Sequence, residues 1–154
     1  MPGVRCFFVD EANILSAIEI AIEQWRRAGI TLLPPNEEAV IAALNQIGRK
    51  YSRDVIALYS ATGGMKDGES DSHLWSLWPL ARILSENPRY ERPYILFADF
   101  LIDSHLYCFR YENDEIASVY IEYGNGEEPK RVAGSVNEFF EIYLRSTIDL
   151  DMFE

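Results

Sequence analysis

An alternating run of acidic residues that ends in a histidine lies near the middle of the chain. Asp67, Glu69, Asp71 and His73 occupy every second position of the stretch KDGESDSH. Carboxylate oxygens and an imidazole are common ligands of metal ions, and they are also the usual groups of acid–base catalysis. The same residues are equally typical of a surface loop that contacts another protein. The pattern therefore leaves open a metal site, a catalytic site and a partner-binding loop.

A metal site requires more than these side chains supply. Counted from Asp67, the acidic positions fit the start of an EF-hand, but the sixth and twelfth residues are serine and tryptophan where that loop needs glycine and glutamate. A zinc site formed by His73, His105 and Cys108 would use both histidines of the chain without a close ligand spacing. We therefore expect no metal and no cofactor, with a divalent-metal hydrolase as an alternative.

Sequence signatures of catalysis are absent from the chain. It contains no GxSxG nucleophile motif, no GxxxxGK[ST] phosphate loop and no GxGxxG motif. Asp99 and Asp103 resemble an acid–base carboxylate pair at the end of a strand, but turn-forming, solvent-facing carboxylates explain the same spacing. The sequence predicts a protein that is not an enzyme.

The charge is strongly acidic and uneven. The net charge is −11, and residues 99–154 hold 13 acidic and 4 basic residues, against 12 and 10 in residues 1–98. Such a surface repels nucleic acid and anionic membranes and attracts basic partners, chiefly by accelerating their encounter. We therefore expect a basic protein partner and no direct contact with nucleic acid or membrane.

Length and cysteine content predict one domain in the cytoplasm. A chain of 154 residues suits a single domain with a substantial core. Its only cysteines, Cys6 and Cys108, lie in apolar stretches and are expected to be reduced and buried. No apolar run approaches the ~20 residues of a membrane span, and the N-terminus lacks the pattern of a signal peptide.

Helical spacing dominates the first half of the chain. Apolar residues recur at helical intervals over residues 11–28, with Gly29 as the expected end. After two prolines, Asn36 is a plausible cap for a second helix, and a third helix should begin near Ser52 and stop at Gly63.

The second half has the period of β-strands. Three short runs rich in aromatic and β-branched residues are expected to be strands, with residues 130–133 as a further short strand and a hairpin loop at residues 112–115 between the second and third. In the third run, Ser118, Tyr120 and Glu122 should form a partly solvated face. Ser135 and Glu138 form a capping box that opens a closing helix. The predicted strands are residues 94–99, 105–111, 117–123 and 130–133. This order predicts a single α+β domain, residues 1–154, with a mainly antiparallel sheet flanked by helices.

Several short motifs in this order resemble the SUKH superfamily, named partly for the fungal Smi and Knr cell-wall regulators. The likeness covers about residues 33–144. Its motifs are LYSATGG at residues 58–64, LWPL at 77–80, ILFAD at 95–99, a strand with Tyr107 and Phe109, and VAGSVNEFFE at 132–141.

The resemblance implies a non-enzymatic domain that binds proteins. Bacterial members resemble immunity proteins that neutralise a cognate toxin, often a nuclease, of a polymorphic or contact-dependent system. A regulatory or scaffold module for a cell-wall or secretion protein is the alternative. Together with the charge, this favours the partner-binding hypothesis for the acidic run. The expected partner-binding residues are Asp67, Glu69, Asp71, Asp103, Glu112, Asp114 and Glu115.

Overall fold

Among the described residues, three helices precede the sheet, a fourth lies between its first two strands, and a fifth follows its last strand. The computed structural model describes residues 17–87, 93–100, 104–124 and 126–145, and helical turns cover residues 17–27, here called α1. The elements that follow are α2 (Glu37–Gln46), α3 (Arg53–Ala61), β1 (Trp75–Leu77), α4 (Leu80–Glu86), β2 (Tyr94–Phe100), β3 (His105–Tyr111), β4 (Ala117–Glu122), β5 (Lys130–Ala133) and α5 (Val136–Arg145). The predicted α+β fold is confirmed.

The strands form one antiparallel sheet in the order β1-β2-β3-β4-β5, so each strand pairs with its neighbour in the sequence. Tyr107 of β3 lies opposite Ala98 of β2, and the register shifts between Leu96 and Ala98. This bulge adds Phe97 to the core side of the sheet, where its ring stacks on Phe109 at 3.8 Å between centroids.

The outer edge of β2 is covered in two different ways. The short strand β1 pairs only with Ala98, Asp99 and Phe100. Further along, the buried side chain of Asn87 takes the place of a strand: its amide nitrogen donates to the carbonyl of Leu96 at 2.9 Å. Its amide oxygen accepts the N–H of Leu96 at 2.7 Å. One side chain thus satisfies both backbone groups of Leu96, which β1 does not reach.

Aromatic rings fill the space between the sheet, α1 and α5. Trp25 of α1 stacks on Trp75 of β1 at 5.9 Å between ring centroids. Trp75 also meets Tyr143 at 5.0 Å and Phe139 at 5.9 Å, both on α5. These contacts join residues far apart in the sequence into one core. Within the described ranges, no helix has both the length and the apolar character to cross a membrane.

Several helix ends agree with the sequence. Gly29, with φ +82°, follows α1, while the predicted start of that helix lies outside the described residues. Asn36 caps α2 by accepting the N–H of Ala39 at 3.0 Å. Ser52 precedes α3 with extended backbone but makes no side-chain cap bond. Its hydroxyl instead donates to the carboxylate of Asp54.

The capping box of α5 forms with one change from the expected pattern. Ser135 accepts the backbone N–H of Glu138 at 3.0 Å, as expected. The carboxylate of Glu138 reaches one residue further back and accepts the N–H of Gly134.

Two elements and one surface differ from the sequence-based expectations. The stretch after the acidic run contains β1 and α4, neither of which was predicted. The outer face of β4 was expected to be partly solvated; Tyr120 is partly exposed, but Ser118 and Glu122 are buried. The hydroxyl of Ser118 donates to the carboxylate of Glu112, and Glu122 accepts the N–H of Gly124 at 3.2 Å. Ser118 and Glu122 can therefore be buried on β4 because local partners satisfy their polar groups.

Candidate functional site

The acidic loop, residues 67–71, is held at both ends by backbone contacts. Before it, Met65 bridges to Leu32, and the N–H of Lys66 donates to the carbonyl of Thr31 at 2.8 Å. Gly68 has φ +89°, which permits the tight turn within the loop. After it, the chain enters β1. The loop is therefore a fixed part of the fold.

Asp71 links the acidic loop to the aromatic core. One carboxylate oxygen accepts the backbone N–H groups of His73 at 2.8 Å and Trp75 at 2.9 Å. The other accepts the hydroxyl of Tyr143. The indole N–H of Trp25 donates in turn to the oxygen of that hydroxyl at 2.8 Å. Burial, together with the charge of Asp71, raises the pKa of Tyr143 well above its usual range. Asp71 is therefore an anchor between α1, α5 and the loop.

Glu69 also has an internal partner, whereas Asp67 is exposed. The carboxylate of Glu69 accepts the N–H of Thr31 at 2.8 Å, and this hydrogen bond lowers its pKa. The carbonyl of Glu69 accepts the hydroxyl of Ser76 at 2.7 Å. Asp67 lies at the rim of a shallow depression beside α4. Of the acids in the loop, Asp67 has its side chain most open to a partner.

The second acidic group is the hairpin, residues 112–115. Asp114 accepts the hydroxyl of Tyr111 at 2.6 Å, and this bond raises the pKa of Tyr111. Glu115 lies 3.4 Å from the guanidinium of Arg53, and both side chains are largely exposed. Glu112 accepts the hydroxyl of Ser118. The hairpin thus presents Asp114 and Glu115 to solvent on a well-defined turn.

The hairpin is fixed to the first turn of α3. The carbonyls of Asp114 and Glu115 accept the N–H groups of Arg53 at 2.8 Å and Asp54 at 3.2 Å. The carboxylate of Asp54 then accepts the N–H of Ala117 at 3.0 Å and that of Val136 at 3.1 Å. One carboxylate therefore ties together the starts of α3, β4 and α5.

The acidic loop and the hairpin lie at opposite ends of the sheet. The N–H of Asp71 donates to the carbonyl of Trp75. Trp75 lies opposite Phe100 in the pairing of β1 with β2, and Phe100 lies opposite His105, the first residue of β3. The hairpin follows the last residue of β3, Tyr111, so the two groups are about 20 Å apart along the strand. The structure brings together Asp67, Glu69 and Asp71 in one group and Glu112, Asp114 and Glu115 in another. Asp103 lies outside the described residues.

The residues considered for a metal site are separated. His105 stacks on Phe100 at 5.7 Å between ring centroids, while Cys108 is three residues further along β3 and therefore on the other face of the sheet. His73 is exposed beside Ser72. In the described part of the chain, no group of three or more His, Cys, Asp or Glu residues is arranged to hold a metal ion.

The carboxylate of Asp99 contacts two neighbouring side chains. It accepts the indole N–H of Trp78 at 2.7 Å and lies 3.6 Å from the guanidinium of Arg82. The side chain is buried. These contacts give the aspartate at this point of β2 a structural role.

Two features near the acidic groups were missed by the sequence reasoning. Leu74 and Ile116 are among the large apolar side chains exposed in the described residues, with 43% and 37% of their surface accessible. Leu74 follows the acidic loop and Ile116 follows the hairpin. The sequence shows both residues, but their exposure depends on the turns in which they lie. Alternation of polar and apolar residues gives no signal in such turns.

Similarity to known proteins lies at the level of a family. No curated protein matches the chain at a significant level. Residues 34–142 match the profile of the SMI1 / KNR4 family (SUKH-1), which includes α2 to α4, the whole sheet and most of α5. This range contains both the acidic loop and the hairpin. The match covers well over half of the 154 residues, and the chain therefore belongs to the SMI1 / KNR4 family (SUKH-1).

Proposed function

We propose that this protein is a non-enzymatic immunity protein of the cytoplasm, which binds a basic cognate toxin and neutralises it. Family membership supports a protein-binding role. The net charge of −11 supports a basic partner, because it accelerates the encounter with one. A nuclease toxin has a basic cleft for phosphate, and an acidic inhibitor can occupy that cleft.

One observation carries the proposal: each acidic group has an exposed apolar residue beside it. Leu74 lies beside the acidic loop and Ile116 beside the hairpin. A protein interface typically combines a few apolar anchors with a polar rim. A standard interface buries about 800 Å² on each partner, a patch roughly 30 Å across, so one partner can span both ends of β3. The two groups are therefore proposed to be two ends of one interface.

The backbone of Leu74 supports the same interpretation. Its φ is +67°, in the left-handed region that disfavours residues with a side chain. A hydrogen bond from its N–H to the carbonyl of Asp71 holds it there. Glycine would satisfy this turn with less strain, and 43% of the surface of the leucine stays exposed. A contact with a partner explains why leucine occupies the position.

The experiment begins with co-purification from the native host to identify the partner, followed by surface plasmon resonance across a salt series. We expect association to slow as salt rises, because screening shortens the range of the charges to roughly 8–10 Å. Reversing Asp67 and Glu115 to lysine should lower the on-rate. Reversing Glu19 and Glu38, which are exposed on helices, changes the net charge equally and should matter much less.

Leu74→Gly separates binding from folding. This variant should unfold at equal or higher urea concentration than the wild type and should bind the partner more weakly, with faster dissociation. An association rate that does not change with salt would contradict the acidic interface. An equal loss of on-rate when Glu19 and Glu38 are reversed would contradict it as well. A partner from cell-wall control or secretion would contradict the immunity role and support the regulatory alternative.

A further inference from the structure

A group of basic side chains stands out on this acidic protein. Lys50, Arg110 and Arg131 are exposed, and none of the ion pairs formed within the described residues involves them. Acidic residues outnumber basic ones by 25 to 14 in the whole chain, so a basic side chain readily finds a carboxylate. We call these three residues, with Tyr111 and Tyr120, the basic patch.

Arg110 is the centre of the basic patch. It lines two adjoining depressions, one of about 340 Å³ shared with Lys50 and Tyr111, and one of about 400 Å³ shared with Tyr120 and Arg131. Arg131 reaches this place because it lies opposite Tyr120 in the pairing of β4 with β5. Strand pairing thus brings together cations that are far apart in the sequence.

Tyrosine rings hold the cations in place. The guanidinium of Arg110 lies 6.0 Å from the ring centroid of Tyr94 and 5.9 Å from that of Tyr120. The two rings pack edge to face at 5.1 Å. The ammonium of Lys50 lies 5.6 Å above the ring of Tyr111. An arginine fixed in this way is prepared to bind a carboxylate with two hydrogen bonds at a low cost in side-chain entropy.

Carboxylates also lie near these cations. Glu112 lines the second depression, where its charge acts on Arg110, and its carboxylate accepts the hydroxyl of Ser118. The depression shared by Lys50 and Arg110 has no acidic residue in its lining. Elsewhere, exposed cations such as Arg26, Arg27 and Arg53 do have carboxylates within 4 Å. Lys50 and Arg110 therefore meet at a depression that contains no carboxylate.

We propose that the basic patch binds an acidic segment of a partner protein, with Arg110 and Arg131 pairing with its carboxylates and Tyr120 packing against its backbone. Arginine and tyrosine are the residues most enriched at the centres of protein interfaces. A nucleic acid is a poorer ligand than a short acidic segment, because it carries closely spaced charges along its whole length and so meets more of the repulsion of the acidic protein. This inference goes beyond the function proposed above, and the patch adjoins the hairpin, because Glu112 and Ile116 also line its second depression.

Fluorescence anisotropy with the full chain tests the proposal. The probe is a labelled peptide that alternates glutamate with serine, and its counterpart has glutamine in place of every glutamate. At low salt, the wild type should bind the glutamate peptide about tenfold or more tightly than the glutamine peptide, the scale of one charge-assisted pair. Arg110→Gln with Arg131→Gln should reduce this binding about tenfold or more, with an unchanged melting curve.

The matched control removes two cations from another surface. Arg26→Gln with Arg27→Gln makes the same change in net charge on α1, where both residues pair with Glu23, and should retain binding. Equal binding of the two peptides, or equal losses from the two double variants, would overturn the proposal. Tighter binding of a single-stranded oligonucleotide with the same number of charges would also overturn it, by assigning the patch to phosphate.

Discussion

Trp78 donates its indole N–H to the carboxylate of Asp99 at 2.7 Å. The guanidinium of Arg82 lies 4.0 Å from the centroid of the tryptophan ring. The three side chains join the loop after β1, helix α4 and strand β2. A buried carboxylate is tolerated because it is both hydrogen-bonded and close to a positive charge. This relationship motivates the first prediction.

Truncation of Trp78 should be strongly destabilising. Trp78→Ala removes a buried ring and should lower the free energy of unfolding by about 3–5 kcal/mol. Trp78→Phe keeps most of the ring but removes the N–H that Asp99 accepts, and should cost about 1–3 kcal/mol. Equilibrium urea melts measure both changes. Ile20→Ala, at a residue that is 48% exposed, serves as the control and should cost much less. An unchanged melt for Trp78→Ala would place the ring at the surface.

Asp54 should be essential for stability although it is not part of the interface. Its carboxylate accepts backbone N–H groups of Ala117 and Val136 and the hydroxyl of Ser52. Asp54→Asn weakens these charge-assisted bonds and should cost about 1.5–3 kcal/mol in a urea melt. Glu115→Gln, which loses only an exposed ion pair, should cost less than about 1 kcal/mol. Equal effects of the two substitutions would contradict the role assigned to Asp54.

The contact between Asp71 and Tyr143 should make the free energy of unfolding depend on pH in the alkaline range. The pKa of Tyr143 is raised in the folded protein, so the unfolded chain loses its proton first as the pH rises. The contribution of this tyrosine to stability is complete below about pH 10 and declines as the pH rises further. Urea melts from neutral to alkaline pH should show a shallower decline for Tyr143→Phe than for the wild type. Identical slopes would mean that Tyr143 is not the titrating group.

Zinc and calcium should not bind stoichiometrically. The carboxylate of Asp71 already accepts two backbone N–H groups and the hydroxyl of Tyr143, which leaves the acidic loop without a set of convergent oxygen ligands. Titration calorimetry of the purified protein with either ion should give no saturable heat. A micromolar affinity that Asp71→Ala abolishes would overturn this prediction.

The elements that the sequence predicts are those with local signals. Asn36 and Gly29 define helix ends through contacts with their immediate neighbours. The predicted strand at residues 105–111 matches β3 because aromatic and apolar residues mark it within the strand itself. In contrast, β1 is only three residues long, and it is a strand only because Ala98, Asp99 and Phe100 pair with it.

The candidate site was harder to predict, because the role of an acidic side chain depends on distant partners. Asp71 and Tyr143 are 72 residues apart, and Asp54 and Val136 are 82 apart. Alternating acids in a loop predict exposure equally for Asp67, Glu69 and Asp71. Only the packing of α5 against the loop separates an anchor from a free carboxylate. The basic patch was missed for the same reason, since strand pairing assembles it.

Asn87 has a consequence for the behaviour of the protein at high concentration. A strand edge with unpaired N–H and carbonyl groups is a template on which another chain can add a strand, and repeated addition leads to aggregation. The amide of Asn87 occupies the donor and the acceptor of Leu96, at the part of β2 beyond the short strand β1. This side chain therefore blocks the addition of another chain at this part of β2.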